Sequence, residues 1–143
     1  MALSEQSVGE LLAALGERTP APASGAATAV TAALAAALVE LSGQFAGDEE
    51  AAARGKALAK RLVELADEDA AAYTAFLADR SDRNRERIIA VPLEIAECAE
   101  ETAELAERVR SELHTAVVGD AEAARDLARA AAKVARRLAE MNG

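Results

Sequence analysis

Apolar residues recur along this chain at steps of three and four, and one segment alone breaks the rhythm. Val8, Leu11, Leu12 and Leu15 form a first stripe at the spacing that marks one face of a helix. Ser7 and Glu10 precede it as a capping box, each side chain able to satisfy the other's free backbone amide. The exception runs from Ala26 to Val39, an almost unbroken series of alanine, valine, leucine and threonine that closes with Glu40 and Leu41. Alanine is the strongest helix former, and a helix apolar on every side belongs inside other helices. The pattern predicts a buried central helix behind the stiff loop Pro20-Ala21-Pro22-Ala23-Ser24-Gly25, with Gly43 and Gly47 punctuating the chain after it.

Asp48 is placed to cap a third helix, with Glu49 and Glu50 in its first turn, where acids complement the helix dipole. Its stripe of Leu58, Leu62, Leu65, Ala72, Tyr73 and Phe76 continues straight through Asp69. A carboxylate therefore stands where an apolar residue is expected. The charged connector Asp79 to Arg85 leads, through Ser81 or Asp82 as cap, into a fourth helix. Ile88, Pro92, Ile95, Ala99, Thr102, Ala106, Val109 and Leu113 form its stripe, widened toward a second neighbour by Val91, Cys98 and Leu105. Pro92 lacks the amide its turn needs and should kink or divide this helix.

After a loop from His114 to Gly119, Asp120 is positioned to cap a fifth helix with Ala124, Leu127, Ala131, Val134, Leu138 and Met141 on its stripe. The prediction is all-α: one domain over residues 1–143, an up-and-down bundle of about five helices around the central alanine-rich one. More apolar surface is present than five short helices cover, so a homodimer or larger homo-oligomer is expected.

Composition narrows the function classes. With 143 residues, 52% apolar and 29% charged, the chain has the make-up of one globular domain. Aromatics at 2% disfavour a β-sandwich. A net charge of −9 without any basic block argues against a nucleic-acid partner. One cysteine, Cys98, and one histidine, His114, make neither a disulfide nor a usual zinc site, so no metal is expected. No basic segment leads an apolar one at the start, and the central run is alanine and threonine rather than leucine and isoleucine. A membrane span is therefore not expected, and the cytoplasm is the expected compartment.

Asp69 is the foremost chemical candidate. It is either satisfied by helix amides or by one of Arg83, Arg85 and Arg87, or it has a raised pKa suited to proton transfer or to gripping a substrate N–H. Asp67 lies about 200° away around the helix and does not pair with it. For Asp120, capping is a complete explanation. The loop from Pro22 to Ala26 offers free amides at the start of the central helix. Tyr73 and Phe76 read as core, Cys98 as a small apolar residue, and Ser111 with His114 as an incidental exposed pair.

Four segments in order resemble one family. Leu11-Leu12-Ala13-Ala14-Leu15 followed by Pro20-Ala21-Pro22 is similar to the entry of the cyclodeaminase/cyclohydrolase family into its Pro-Ala-Pro-Gly-Gly-Gly-Ser loop and alanine-rich helix. Leu65-Ala66-Asp67-Glu68-Asp69-Ala70-Ala71-Ala72-Tyr73 resembles its Asp-x-Asp-Ala-x-Ala-Phe/Tyr segment, Val91-Pro92-Leu93 its Val-Pro-Leu, and Gly119-Asp120 its Ser-Asp before the last helix.

The resemblance implies an oligomeric helical bundle with folate sites near subunit contacts. Its members release ammonia from formiminotetrahydrofolate to close a methenyl ring, or open that ring with water. It implies Asp69 and Asp120 as catalytic residues, and Pro22, Ala23, Ser24, Gly25, Asp67, Tyr73 and His114 as substrate-binding ones. It also implies a tetrahydrofolate derivative as substrate and no covalently bound cofactor. The chain departs from the pattern where Ala23-Ser24-Gly25-Ala26 replaces Gly-Gly-Gly-Ser, where His114 replaces an asparagine, and at Gly47-Asp48-Glu49-Glu50, whose charge would repel an anionic folate tail. Two alternatives accompany this reading: a binding or structural module of the same fold whose chemistry has lapsed, and an enzyme of the family with a non-folate cyclic imine as substrate.

Overall fold

A computed structural model describes residues 1–143 and is helical throughout, without strands. Its elements are α1 (Val8–Gly16), α2 (Ser24–Ala46), α3 (Glu49–Ala78), α4 (Asp82–Glu112) and α5 (Gly119–Asn142), with short 3₁₀ turns at Leu3–Glu5 and Thr115–Val117. Local signals set most of the boundaries. The capping box is complete, with Ser7 Oγ accepting from the Glu10 amide at 3.0 Å and the Glu10 carboxylate accepting from the Ser7 amide at 2.9 Å. Asp48 caps α3 by accepting from the Ala51 amide at 3.0 Å, and Ser81 caps α4 by accepting from the Asn84 amide at 3.3 Å. Gly47 ends α2 with φ of 71°, the left-handed conformation that glycine adopts without a steric cost.

Helices α2 to α5 form the bundle: each packs on the next, and α2 also packs on α4 and α5. Most of the buried apolar residues are alanine, so the helices approach closely. Gly43, expected as a break, lies inside α2; a Cβ there would come within 2.9 Å of the Ala52 amide nitrogen on α3. Gly55 mirrors it, since a Cβ there would come within 2.9 Å of the Ala36 carbonyl and the Glu40 amide. On the surface, Arg61 of α3 reaches Glu94 of α4 at 2.6 Å and Glu68 at 3.0 Å, one of several ion pairs that lace neighbouring helices together.

Several expectations change. Helix α2 is not enclosed: Leu34 and Phe45 are 60% and 66% exposed, on a stripe with Val30, Leu38 and Leu41. It is long and apolar enough to cross a membrane by length and composition, and half of that apolar window is buried inside the bundle. Helix α1 buries no residue, and only Leu11 of its stripe touches the core. Pro92 does not divide α4, which runs unbroken on both sides of it.

On α5 the packed face is the alanine series Ala121, Ala124, Ala128, Ala131, Ala135 and Ala139, while Leu127 and Met141 point outward. Close packing between backbones selects the smaller of two equally regular stripes. Asp120 is not the cap of α5: Val118 holds that position without a side-chain bond, and Asp120 sits in the first turn.

Candidate functional site

The four long helices meet at one point, where α3, α4 and α5 each contribute two residues one turn apart. Asp69 and Tyr73 come from α3, Ile88 and Pro92 from α4, Leu138 and Asn142 from α5. The loop and the first turn of α2 supply Pro20, Ala21, Ala23, Ser24 and Gly25. They line a cavity of about 220 Å³.

The α2 wall is built from backbone. Ala23 provides no capping side chain, and the first intrahelical bond is donated by the Ala27 amide to the Ala23 carbonyl at 3.0 Å. The amides of Ser24, Gly25 and Ala26 therefore have no acceptor in the protein. Asp69 lies directly against this turn. A Cβ on residue 25 would stand 2.1 Å from Asp69 Oδ2 and 2.3 Å from its Cγ, so the missing side chain of Gly25 is the space the carboxylate occupies. Ala23 and Ser24 are exposed at the rim, where side chains meet solvent.

Asp69 makes no ion pair and no hydrogen bond within the protein. Arg85, one of its expected partners, instead lies over the Phe76 ring at 5.3 Å, as Arg80 does at 5.0 Å. Arg83 and Arg87 are exposed and do not reach it. Burial alone acts on the carboxyl and pushes its pKa above the ordinary aspartate range. A carboxyl that is half-buried, unpaired and accessible from a cavity can take a proton from a bound ligand and return it.

The remaining candidates are dispersed. Tyr73 is 37% exposed and lines the cavity instead of filling the core. Pro22, joined to Ala21 by a cis bond, lies between lining residues without lining the cavity itself. Asp67 faces away: its Oδ1 accepts from the Leu3 amide at 2.9 Å and ties down the N-terminal turn. His114 is exposed at the start of the turn Thr115–Val117.

Asp120 borders a separate, shallow depression with Phe45, Ala116, Val117 and Gly119. Ser24 and Phe45 stand at opposite ends of α2, about 30 Å apart at 1.5 Å per residue, so one chain does not bring Asp69 and Asp120 together. Asp48 and Glu50 share that far end, paired with Arg108 at 2.8 and 3.0 Å, and do not face the cavity of their own chain.

Outside the loop before α2, four lining residues escaped the reading of the sequence as site residues, Ile88, Pro92, Leu138 and Asn142; within the loop, Pro20 and Ala21 did. Pro92 carried the one available signal, a proline inside a regular stripe. The partner it recruits is fifty residues further on.

The model of the family described as formiminotransferase-cyclodeaminase matches residues 7–143, almost the whole chain. No curated protein matches it.

Proposed function

The chain belongs to the formiminotransferase-cyclodeaminase family, and on that footing we propose that it moves protons at a one-carbon unit bridging two nitrogens of a reduced folate. The observation that carries this reading is Asp69: unpaired, half-buried and set in the cavity at the meeting of four helices. In the deaminating direction, the free folate nitrogen attacks the formimino carbon and a new C–N bond forms. Asp69 takes the proton from the attacking N–H and gives it to the departing nitrogen. The bond to that nitrogen breaks, ammonia leaves, and the methenyl ring remains. In ring opening, the same carboxylate takes a proton from water as its oxygen bonds to the methenyl carbon and passes it to one ring nitrogen. The bond to that nitrogen breaks, and the remaining hydroxyl proton goes to solvent as the formyl carbonyl forms. The folate is a substrate in both cases, and no bound cofactor is invoked.

An unpaired buried carboxylate is costly to keep, which argues for retained chemistry over a lapsed module. Purified protein is mixed with methenyltetrahydrofolate or formiminotetrahydrofolate, and the near-ultraviolet absorbance of the methenyl compound is followed. The expected result is a rate above buffer that Asp69→Asn abolishes. No rate with either compound would overturn the folate reading. A second reading, a cyclic imine substrate without the folate tail, is favoured by one observation: no lysine or arginine lines the cavity.

The active form in this proposal is a dimer. The uncovered stripe of Val30, Leu34, Leu38, Leu41 and Phe45 carries no charge and spans about 22 Å of helix at 1.5 Å per residue. In the proposed dimer the two-fold axis runs perpendicular to α2, which pairs the two stripes antiparallel. That arrangement sets the Phe45 end of one α2 beside the Ser24 end of the other, and so offers a route for Asp120 of a second copy to approach Asp69.

A further inference from the structure

Pro92 has no N–H, so the Ile88 carbonyl one turn earlier has lost its helical donor. Asn142 replaces it from the last turn of α5, its Nδ2 donating to the Ile88 carbonyl oxygen at 2.8 Å. This bond fixes the orientation of the amide. Only the NH₂ group can donate to a carbonyl, so Oδ1 must face the other way. Oδ1 has no partner in the protein, and Asn142 lines the same cavity as Asp69. Helices α3 and α5 stand on either side of the packed pair α2 and α4. The cavity therefore has Asp69 on one wall and Asn142 on another, beside the free amides of the first α2 turn and the Ser24 and Tyr73 hydroxyls, and no lysine or arginine lines it.

We infer that Asn142 is a substrate-binding residue whose side-chain carbonyl accepts an N–H of the ligand across from Asp69, so that the cavity selects an amidinium-type group. The inference rests on the one-carbon reading and refines it. A protonated formimino group is an amidinium and presents N–H donors. The methenyl bridge has a C–H and no N–H at all. Two acceptors favour the former, which assigns this chain to deamination with ring closure rather than to ring opening.

The specificity constants for formiminotetrahydrofolate and methenyltetrahydrofolate are compared in the wild type and in Asn142→Leu, which keeps the size and loses the acceptor. A hydrogen bond to a charged group is worth about tenfold to a hundredfold. The ratio of the two constants is expected to fall by at least tenfold, mainly through a higher KM for the formimino compound. An unchanged ratio, or a wild type that acts on the methenyl compound alone, overturns the inference.

Loss of the Ile88 bond is a structural side effect, and the double variant Pro92→Ala/Asn142→Leu separates it. Alanine restores the helical N–H to Ile88, so the fold no longer needs Asn142 while the acceptor stays absent. The ratio is expected to remain low in the double variant, and its recovery would overturn the inference. Where the wild type turns over neither folate, the one-carbon reading fails, and titration with acetamidinium followed by NMR decides the role of Asn142 alone. Binding at least tenfold weaker in the double variant than in Pro92→Ala supports it; equal binding, or none in the wild type, overturns it.

Discussion

The carboxylate of Asp69 occupies the space that a side chain on Gly25 would fill, with an added Cβ only 2.1 Å from Oδ2. Gly25 is helical and needs no unusual backbone angle; it is needed for room. Gly25→Ala can be accommodated by rotating Asp69 out of its place, which separates activity from stability. We expect turnover to fall by about a hundredfold or more, the scale of a lost general acid–base. The unfolding free energy should change by about 1 kcal/mol or less. Kinetics and a urea melt on the same preparation check both halves.

Asp69 also makes the stability of the protein depend on pH. Its folded pKa is raised by burial from the ordinary value of 3.8. As pH climbs above that value, the unfolded chain ionises Asp69 while the folded chain still holds the proton. The folded state then binds more protons, so this group lowers stability as pH rises, until the folded carboxyl ionises too. Asp69→Asn removes the loss and should be more stable than the wild type at pH 7 by about 1 kcal/mol, as relief of a site's strain commonly gives. The advantage should shrink toward pH 4. Urea melts at the two pH values test it, and parallel shifts in both proteins would contradict it.

Gly55 offers the contrast. Its surroundings are the Ala36 carbonyl and Glu40 amide of α2 at 2.9 Å, which cannot rotate aside as a carboxylate can. Gly55→Ala must push α2 and α3 apart and should cost about 1–3 kcal/mol, the range for overpacking. Thermal melts should show the loss, while turnover at low temperature persists.

The starts of α1, α3 and α4 and the anomaly at Asp69 were legible in the sequence because their signals are local, whereas α5 begins before Asp120 without a side-chain cap. Ser7 with Glu10, Asp48 and Ser81 sit within one turn of the amides they satisfy. Gly43 misled because glycine reads as punctuation, whereas its role is contact with Ala52 across a helix pair. The face of α5 was misjudged because two stripes share one period, and volume, not hydrophobicity, decides between them. Half of the cavity was invisible for a related reason: Asn142 and Ile88 are joined by a bond that periodicity within one helix cannot show.

The dimer proposal makes its own prediction. If Asp120 serves the cavity of a second copy, Asp69→Asn and Asp120→Asn are each inactive alone. Unfolded together and refolded as a mixture, they should regain about a quarter of wild-type activity, since random pairing of a two-fold dimer makes half mixed dimers, each with one intact site. Leu34→Glu with Phe45→Glu should abolish that recovery and give a monomer in sedimentation. Recovery never rising above either parent would reject shared sites.

The alanine core has a consequence for how this chain tolerates change. Truncating substitutions, the usual source of damage in a protein interior, find little to remove where the buried residue already ends at Cβ. Enlargement is the dangerous direction, because α2 has neighbours at backbone distance on α3. Random variation should therefore show a lopsided spectrum, forgiving of lost volume and severe toward added volume at Ala26, Ala29, Ala32 and Ala36, all of them fully buried. A saturation library sorted for folded protein would display that asymmetry as a size ceiling running the length of α2.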